Sequence, residues 1–207
     1  MVAGGLQASG NLQASGSLQA SGYHRVSGYT LLELLFVTAL IAIVSAIAVP
    51  QSLASVDRAR AASAARYLAS RMAVARSQAV LRSAHVALRF EDGPSGITFR
   101  PFGDGNGDGV LAADIAAGID APLDTAVLLG DLYSGVAIAV AGEAGSDPVR
   151  LGSSNLLSFT PLGTATSGSV FVRGRDGSQF AIRVLGATGR TRVQRFVVHS
   201  RTWVDAF

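Results

Sequence analysis

GYTLLELLFVTALIAIVSAIAVP, residues 28–50, decides how the rest of the chain is read. Leu31 to Val49 is a run of nineteen residues with one charge, Glu33, and two small hydroxyls, Thr38 and Ser45. Coiled as a helix at about 1.5 Å per residue, such a run covers roughly the 30 Å of a bilayer's hydrocarbon layer. The residues before it include His24 and Arg25 and no acid. A cationic flank stays on the cytoplasmic side, so the C-terminal part is expected across the inner membrane, in the periplasm.

Two other readings fit the same apolar run. A cleaved secretory signal also has a basic start, and Ala46-Ile47-Ala48 offers a small-residue cleavage pattern. That run is long for a signal core, however, and it carries a carboxylate near its start. A plain anchor helix explains the length but leaves Glu33 unexplained. A carboxylate near the end of a span costs on the order of 1 to 3 kcal/mol unless something partners it.

Gly28 followed by Tyr29, Thr30, Leu31, Leu32 and Glu33 resembles the processing site of type IV prepilins and type II secretion pseudopilins. The resemblance implies a prepilin peptidase cut after Gly28, N-methylation of Tyr29, and Glu33 as the carboxylate that guides filament assembly. It also implies an inner-membrane assembly platform and other pilins or pseudopilins as partners. The electrostatics agree with that assignment. Among packed spans, Glu33 can pair with the positive α-amino group of a neighbouring subunit's Tyr29, which offsets the cost of leaving water and sets the axial register. Pro50 resembles the family's helix-kinking proline and removes one internal hydrogen bond.

The composition suits one core-forming domain plus an appended segment. The chain has 207 residues, 49% apolar and only 15% charged, which argues against disorder and leaves apolar surplus for a membrane. It contains no cysteine, so disulfides and thiolate metal sites play no part. Every basic residue other than histidine is arginine, and the net charge of +3 does not by itself call for a polyanionic partner. The distribution says more. Leu53 to Phe90 holds seven Arg against one Asp, Glu91 to Arg150 ten acids against two Arg, and Arg173 to the end seven Arg against two Asp. Such polarity points to complementarity within the chain or to ordered docking of subunits, and less to an anionic ligand.

Residues 1–28 form a leader in which LQASG recurs at Leu6, Leu12 and Leu18 with a period of six. Small polar repeats of this kind cannot build a core. The simplest account is a start codon placed too early, the alternative a tether. Residues 29–50 are the span and 51–207 the head. After Pro50 the chain reads as helix to about Ser83, with an apolar stripe at Val56, Tyr67, Val74 and Leu81 and with Arg58 and Arg76 pointing away from it.

From His85 onward the pattern becomes strand-like, over His85 to Phe90, Ile97 to Phe102, Val136 to Val140, Leu156 to Pro161, Ser169 to Arg173, Phe180 to Leu185 and Arg192 to His199. Turn signals at Glu91-Asp92-Gly93-Pro94, Arg175-Asp176-Gly177-Ser178 and Gly186-Ala187-Thr188-Gly189 predict antiparallel hairpins. The expected fold class is α+β, and the resemblance makes it pilin-like: a long N-terminal helix, half transmembrane and half amphipathic, packed on antiparallel β-sheet.

Between the second and third of these runs, Asp104, Asn106 and Asp108 alternate with glycines, as oxygen ligands do in calcium loops. The twelfth position, which an EF-hand fills with a bidentate acid, is Ile115, and Asp114 stands one residue early. A non-EF calcium site would close with Asp114 or Asp120. The competing reading is a Gly/Asp-rich turn with no ion.

The segments SFTPLGTA, GSVFV and IRVLGATGRTRV resemble the tail of GspH/FimT-type minor pseudopilins, with the likeness covering residues 28 to about 90 and 155 to 195. In FimT-like pilins a G-R-x-R element contacts DNA during uptake, and Gly189, Arg190, Thr191 and Arg192 match it. Two arginines on a tight turn suit phosphate contact. Any cationic hairpin shows the same residues.

Catalytic patterns are lacking in the sequence: His24, His85 and His199 belong to no spaced metal or nucleophile motif, and no H-E-x-x-H, G-x-S-x-G or phosphate loop occurs. His85 and His199 read as ordinary strand residues, and Trp203 and Phe207 as late packing or a subunit contact. The reading that results is a minor pseudopilin of a type II secretion system, a non-enzymatic filament subunit. Its rivals are a type IV pilus minor pilin that binds DNA and, further off, a signal-anchored periplasmic enzyme.

Overall fold

The computed structural model describes residues 28–140 and 146–207. The repeats, His24, Arg25 and Glu143 lie outside the described residues. The chain forms two units, Met1–Val44 and Ser45–Phe207, and one helix, α1 (Leu31–Arg82), has residues in both.

Thr30 starts α1. Its Oγ1 accepts the Glu33 N–H at 3.1 Å and its carbonyl accepts the Leu34 N–H at 3.1 Å, an N-cap that satisfies donors the helix cannot pair internally. In the first unit every described residue is exposed, leucines, isoleucines and Phe36 included. An 18-residue window of α1 has a mean hydropathy of 2.6, enough to cross a bilayer. Thr38 turns its hydroxyl onto the Leu35 carbonyl at 3.0 Å, so the polar atom needs no partner from outside the helix. Pro50 sits inside α1, and the helix continues beyond it to Arg82.

In the second unit α1 buries Ala61, Ala64, Ala65, Leu68, Met72, Ala75 and Ala79, spaced three and four apart as one helical face. This differs from the expected stripe. Leu81 is 83% exposed, and Val56 and Val74 are exposed as well, with only Tyr67 half-buried. The reason is size. Alanines let the helix axis approach the sheets closely, and the larger side chains flank that contact or face away. Arg76, expected to point outward, instead donates from Nε to the Gly163 carbonyl at 2.9 Å, whereas Arg58 is exposed and lies 3.6 Å from Asp176.

After α1 come β1 (Val86–Gly93), β2 (Gly96–Gly103), the short helix α2 (Ala112–Ala117), β3 (Ala121–Pro122), β4 (Val127–Leu128), α3 (Leu129–Leu132), β5 (Val136–Ile138), β6 (Val149–Arg150), β7 (Leu156–Phe159), β8 (Gly168–Gly174), β9 (Gln179–Leu185), β10 (Arg190–Val197) and β11 (Thr202–Asp205). The seven expected strands all form, within a few residues of their expected limits. The additions are β3, β4, β6 and β11 and the two short helices. The strands make two antiparallel sheets. The first runs β3-β2-β1-β7 with β4 also on β2, and the second runs β11-β10-β9-β8-β5 with β6 also on β8. All three expected hairpin turns are present, joining β1 to β2, β8 to β9 and β9 to β10.

One buried cluster draws on α1 and both sheets, with Leu68 and Met72 from the helix, Phe99, Leu157 and Phe159 from the first sheet and Val172, Phe180 and Ile182 from the second. Tyr67 extends it with tilted ring contacts to Phe99 at 6.4 Å and Tyr133 at 6.1 Å. Arg71 of α1 reaches Asp124, next to β3, at 2.6 Å, and ties the helix to the β2–β4 segment. The fold is mixed α+β, a long N-terminal apolar helix followed by antiparallel sheets, and it is consistent with a pilin-like head.

Candidate functional site

Three places carry the residues singled out by the sequence. At the start of α1, Tyr29 is 77% exposed and Glu33 is exposed one turn into the helix. Among the described residues, no atom lies within 4 Å of where a Cβ at Gly28 would stand. Crowding by the described residues therefore does not demand a glycine there. Thr30-Leu31-Leu32-Glu33 also has the form of a capping box, a local role for Glu33 that the motif reading did not consider. A carboxylate in a first turn is further favoured by the helix dipole.

The second place is the loop from Asp104 to Asp120. The Asp104 carboxylate is almost wholly covered and accepts N–H bonds from Gly107 at 2.6 Å, Gly109 at 3.0 Å and Asn106 at 3.2 Å, with His85 Nδ1 at 3.3 Å. Asp120 is 1% exposed and accepts the Gly105 N–H at 3.0 Å and the Leu111 N–H at 2.9 Å. Gly105 has to be glycine, because a Cβ would stand 2.1 Å from the Ile119 carbonyl oxygen. Asn106 donates to Asp108 at 3.0 Å and to Asp114 at 3.4 Å, which draws those three side chains together. Among the described residues, no three His, Asp or Glu side chains are grouped so as to hold a metal ion. The loop is closed by its own hydrogen bonds, and His85, expected as an ordinary strand residue, is one of the donors.

Burial raises the Asp104 pKa, but the N–H groups of Gly107, Gly109 and Asn106, helped by His85, outweigh it and hold the carboxyl below its usual 3.8. A depressed folded value means that the ionised side chain stabilises the fold fully above about pH 3.8, and that this contribution fades as pH falls through the lower folded value. Asp104→Asn should therefore lower the melting temperature at neutral pH. Its melting temperature should also decline less steeply than the parent's below about pH 4. A series of thermal melts from pH 7 to pH 2.5, a range on the order of what carboxylate titration requires, checks both expectations. Parallel curves would mean that the carboxylate contributes nothing beyond its shape.

The third place is the outer face of the second sheet. Arg190 and Arg192 are both exposed on β10, where Arg190 lies opposite Leu185 and Arg192 opposite Arg183. Among the described residues, Arg192 forms an ion pair with Asp205 at 3.8 Å and Arg190 forms none. The sequence reading missed Arg183 and Arg150, because only the strand register brings them to the same face. Trp203 stacks on Phe171 at 5.7 Å and Phe196 at 5.2 Å, so β11 does pack late against the head. Phe207 lies under the Arg66 guanidinium at 3.6 Å.

The family described as Type II transport protein GspH matches residues 64–189, a stretch that takes in most of the buried face of α1, the first sheet, strands β5, β6, β8 and β9 of the second, and the turn before Arg190. The prokaryotic N-terminal methylation motif matches residues 23–49 and contains Gly28, Tyr29 and Glu33. No curated protein and no solved structure gives a match. The GspH match covers more than half of the chain, the methylation motif supplies the N-terminus, and the fold is mixed α+β with a long leading helix. The chain belongs to the GspH family and is a pseudopilin of the GspH/FimT type.

Proposed function

We propose that this pseudopilin is a minor subunit of a type II protein secretion system, cut after Gly28 by a prepilin peptidase, methylated on Tyr29 and stacked with other pseudopilins into a filament. Before assembly it is a single-pass protein of the bacterial inner membrane with residues 51–207 in the periplasm. The head contributes surfaces, not chemistry, and the family is structural. The observation that carries the proposal is the conjunction at the start of α1: a glycine that no described neighbour crowds, an exposed aromatic, and a carboxylate one turn into a helix long and apolar enough to span a bilayer. An external peptidase explains the glycine, and a neighbouring α-amino group explains the carboxylate.

Mass spectrometry of the membrane-extracted protein should find a methylated chain that begins at Tyr29. A terminus at Val49 would instead support the secretory-signal reading and remove this one.

A second reading is a type IV pilus minor pilin that binds DNA for uptake. It is favoured by the exposure of Arg190 and Arg192 on one strand, where among the described residues Asp205, 3.8 Å from Arg192, forms an ion pair with one of them. On this reading the affinity of the purified protein for DNA falls steeply with salt, as expected when phosphates are neutralised by arginine. Changing Arg190 and Arg192 together to Ala should then weaken binding without lowering the melting temperature. Calcium at Asp104, Asn106, Asp108 and Asp114 is a separate proposal, supported by the alternation of oxygen side chains, and calorimetric titration of the purified protein decides it.

A further inference from the structure

A short way beyond the apolar run, α1 and the second sheet enclose a groove of about 390 Å³. Its lining includes Ser55, Arg58 and Ala59 of α1, Phe180 of β9, Arg195 of β10 and Phe207. Arg195 lies opposite Phe180 in the strand register, and Phe180 is buried in the cluster that the sheet shares with α1. Residues paired across two strands point to the same side, so Arg195 stands on the helix side of the sheet. Both arginines are exposed, and among the described residues no acid lines the groove. Arg58 Nε lies 3.6 Å from Asp176, beyond hydrogen-bond length, and Arg195 forms no ion pair among the described residues. Glu91 and Asp92 belong to β1 in the other sheet, so the cationic lining is a property of this groove and not of the whole head.

Ser45 to Val49, the last residues of the apolar run, belong to the same unit as the head, so the distance from the bilayer to the groove can be counted along α1. Ser55 stands six residues beyond Val49 and Arg58 nine, about 9 and 14 Å at 1.5 Å per residue. The headgroup layer outside the hydrocarbon is about 5 to 8 Å deep. Helical side chains lean toward the N-terminus of their helix, here toward the bilayer, and arginine carries its charge at the tip of a long apolar stem. Exposed Leu53, about 6 Å beyond Val49, supplies apolar surface within that layer. Each guanidinium can donate two hydrogen bonds to one phosphate, and a negatively charged membrane surface attracts arginine. An anionic headgroup suits the lining better than a zwitterionic one, whose own cation would meet the same two arginines.

We propose that the groove lined by Arg58 and Arg195 binds the phosphodiester headgroup of an anionic phospholipid while the protein is anchored in the inner membrane. The proposal rests on the inner-membrane reading above and names a ligand for the head there. Bound lipid holds this end of the head at the bilayer, and extraction into a filament requires its release. The test uses the full-length protein in nanodiscs of phosphatidylcholine, alone or mixed with phosphatidylglycerol. Trp203 fluorescence follows the melt, and native mass spectrometry of detergent-released protein counts retained lipid. Phosphatidylglycerol should raise the parent's melting temperature and be retained at least about tenfold over phosphatidylcholine. Arg58→Gln with Arg195→Gln should remove both effects while melting close to the parent in phosphatidylcholine alone. Ala59→Trp fills the groove, leaves every charge in place and should remove them too. Arg173→Gln changes an exposed arginine that is not part of the lining and should leave both effects intact.

Stabilisation and retention that survive the glutamine pair or Ala59→Trp, or that Arg173→Gln removes equally, overturn the proposal, because surface charge in general would then account for them. So does inorganic phosphate or an oligonucleotide that stabilises the parent in phosphatidylcholine as much as phosphatidylglycerol does, since the groove would then take any phosphate. The inner-membrane reading fails on a different result, a mature chain that begins at Val49 and lacks the span, so the two failures are told apart.

Discussion

Glu33→Leu should cut incorporation of the protein into filaments by at least about tenfold while leaving its amount in the membrane unchanged, since tenfold corresponds to about 1.4 kcal/mol, within the range a paired carboxylate supplies. Unpaired, the carboxylate in the apolar run costs on the order of 1 to 3 kcal/mol, and pairing it with the Tyr29 α-amino group of the next subunit turns that cost into a register signal. The helix start complicates the choice of variant. Because Thr30 caps α1 and already takes the Glu33 N–H, a leucine at position 33 removes a potential capping-box side chain as well as a charge. Glu33→Gln separates the two effects, because glutamine can serve a capping box but cannot form an ion pair. If charge sets the register, both variants should fail to assemble. Quantifying the protein in sheared filament and membrane fractions decides the matter, and normal incorporation of the glutamine variant would show that capping, not pairing, is what position 33 supplies.

What could be read from the sequence was whatever is encoded locally. The apolar run of α1 and the three hairpin turns are each set by residues close together in the chain, and they appear in the structure where expected. Pairing between distant segments was not readable. Nothing near Leu156 says that β7 will lie beside β1, with Phe159 opposite Val86, and so the division into two sheets stayed hidden. The two-residue strands β3, β4 and β6 are too short for any periodicity, and β11 is a four-residue strand near the chain end. The opposition of Arg183 to Arg192 is likewise a fact of register, so the sequence suggested an arginine turn where the structure has an arginine face.

The error about α1 has a physical source and a direct test. Val56, Tyr67, Val74 and Leu81 recur near whole numbers of helical turns, but the helix packs through Ala61, Ala64, Ala65, Leu68, Met72, Ala75 and Ala79, where small residues permit close approach. Leu68 and Leu81 are the same residue on the same helix in opposite circumstances, one fully buried and the other 83% exposed. Leu68→Ala removes methyl groups from the cluster shared by the helix and both sheets and should cost about 2 to 5 kcal/mol. For a unit of this size, that lowers the melting temperature by roughly 10 °C. Leu81→Ala should shift it hardly at all, within about 0.5 kcal/mol. Trp203, the single tryptophan, packs against Phe171 of the second sheet and reports the melt by fluorescence in the detergent-solubilised protein. Equal losses at the two positions, or a larger one at Leu81, would mean that α1 presents its large apolar stripe to the sheets after all. Under the expected result, the alanine-lined face is the one through which the head holds its helix, and Val56, Val74 and Leu81 stand outside that contact.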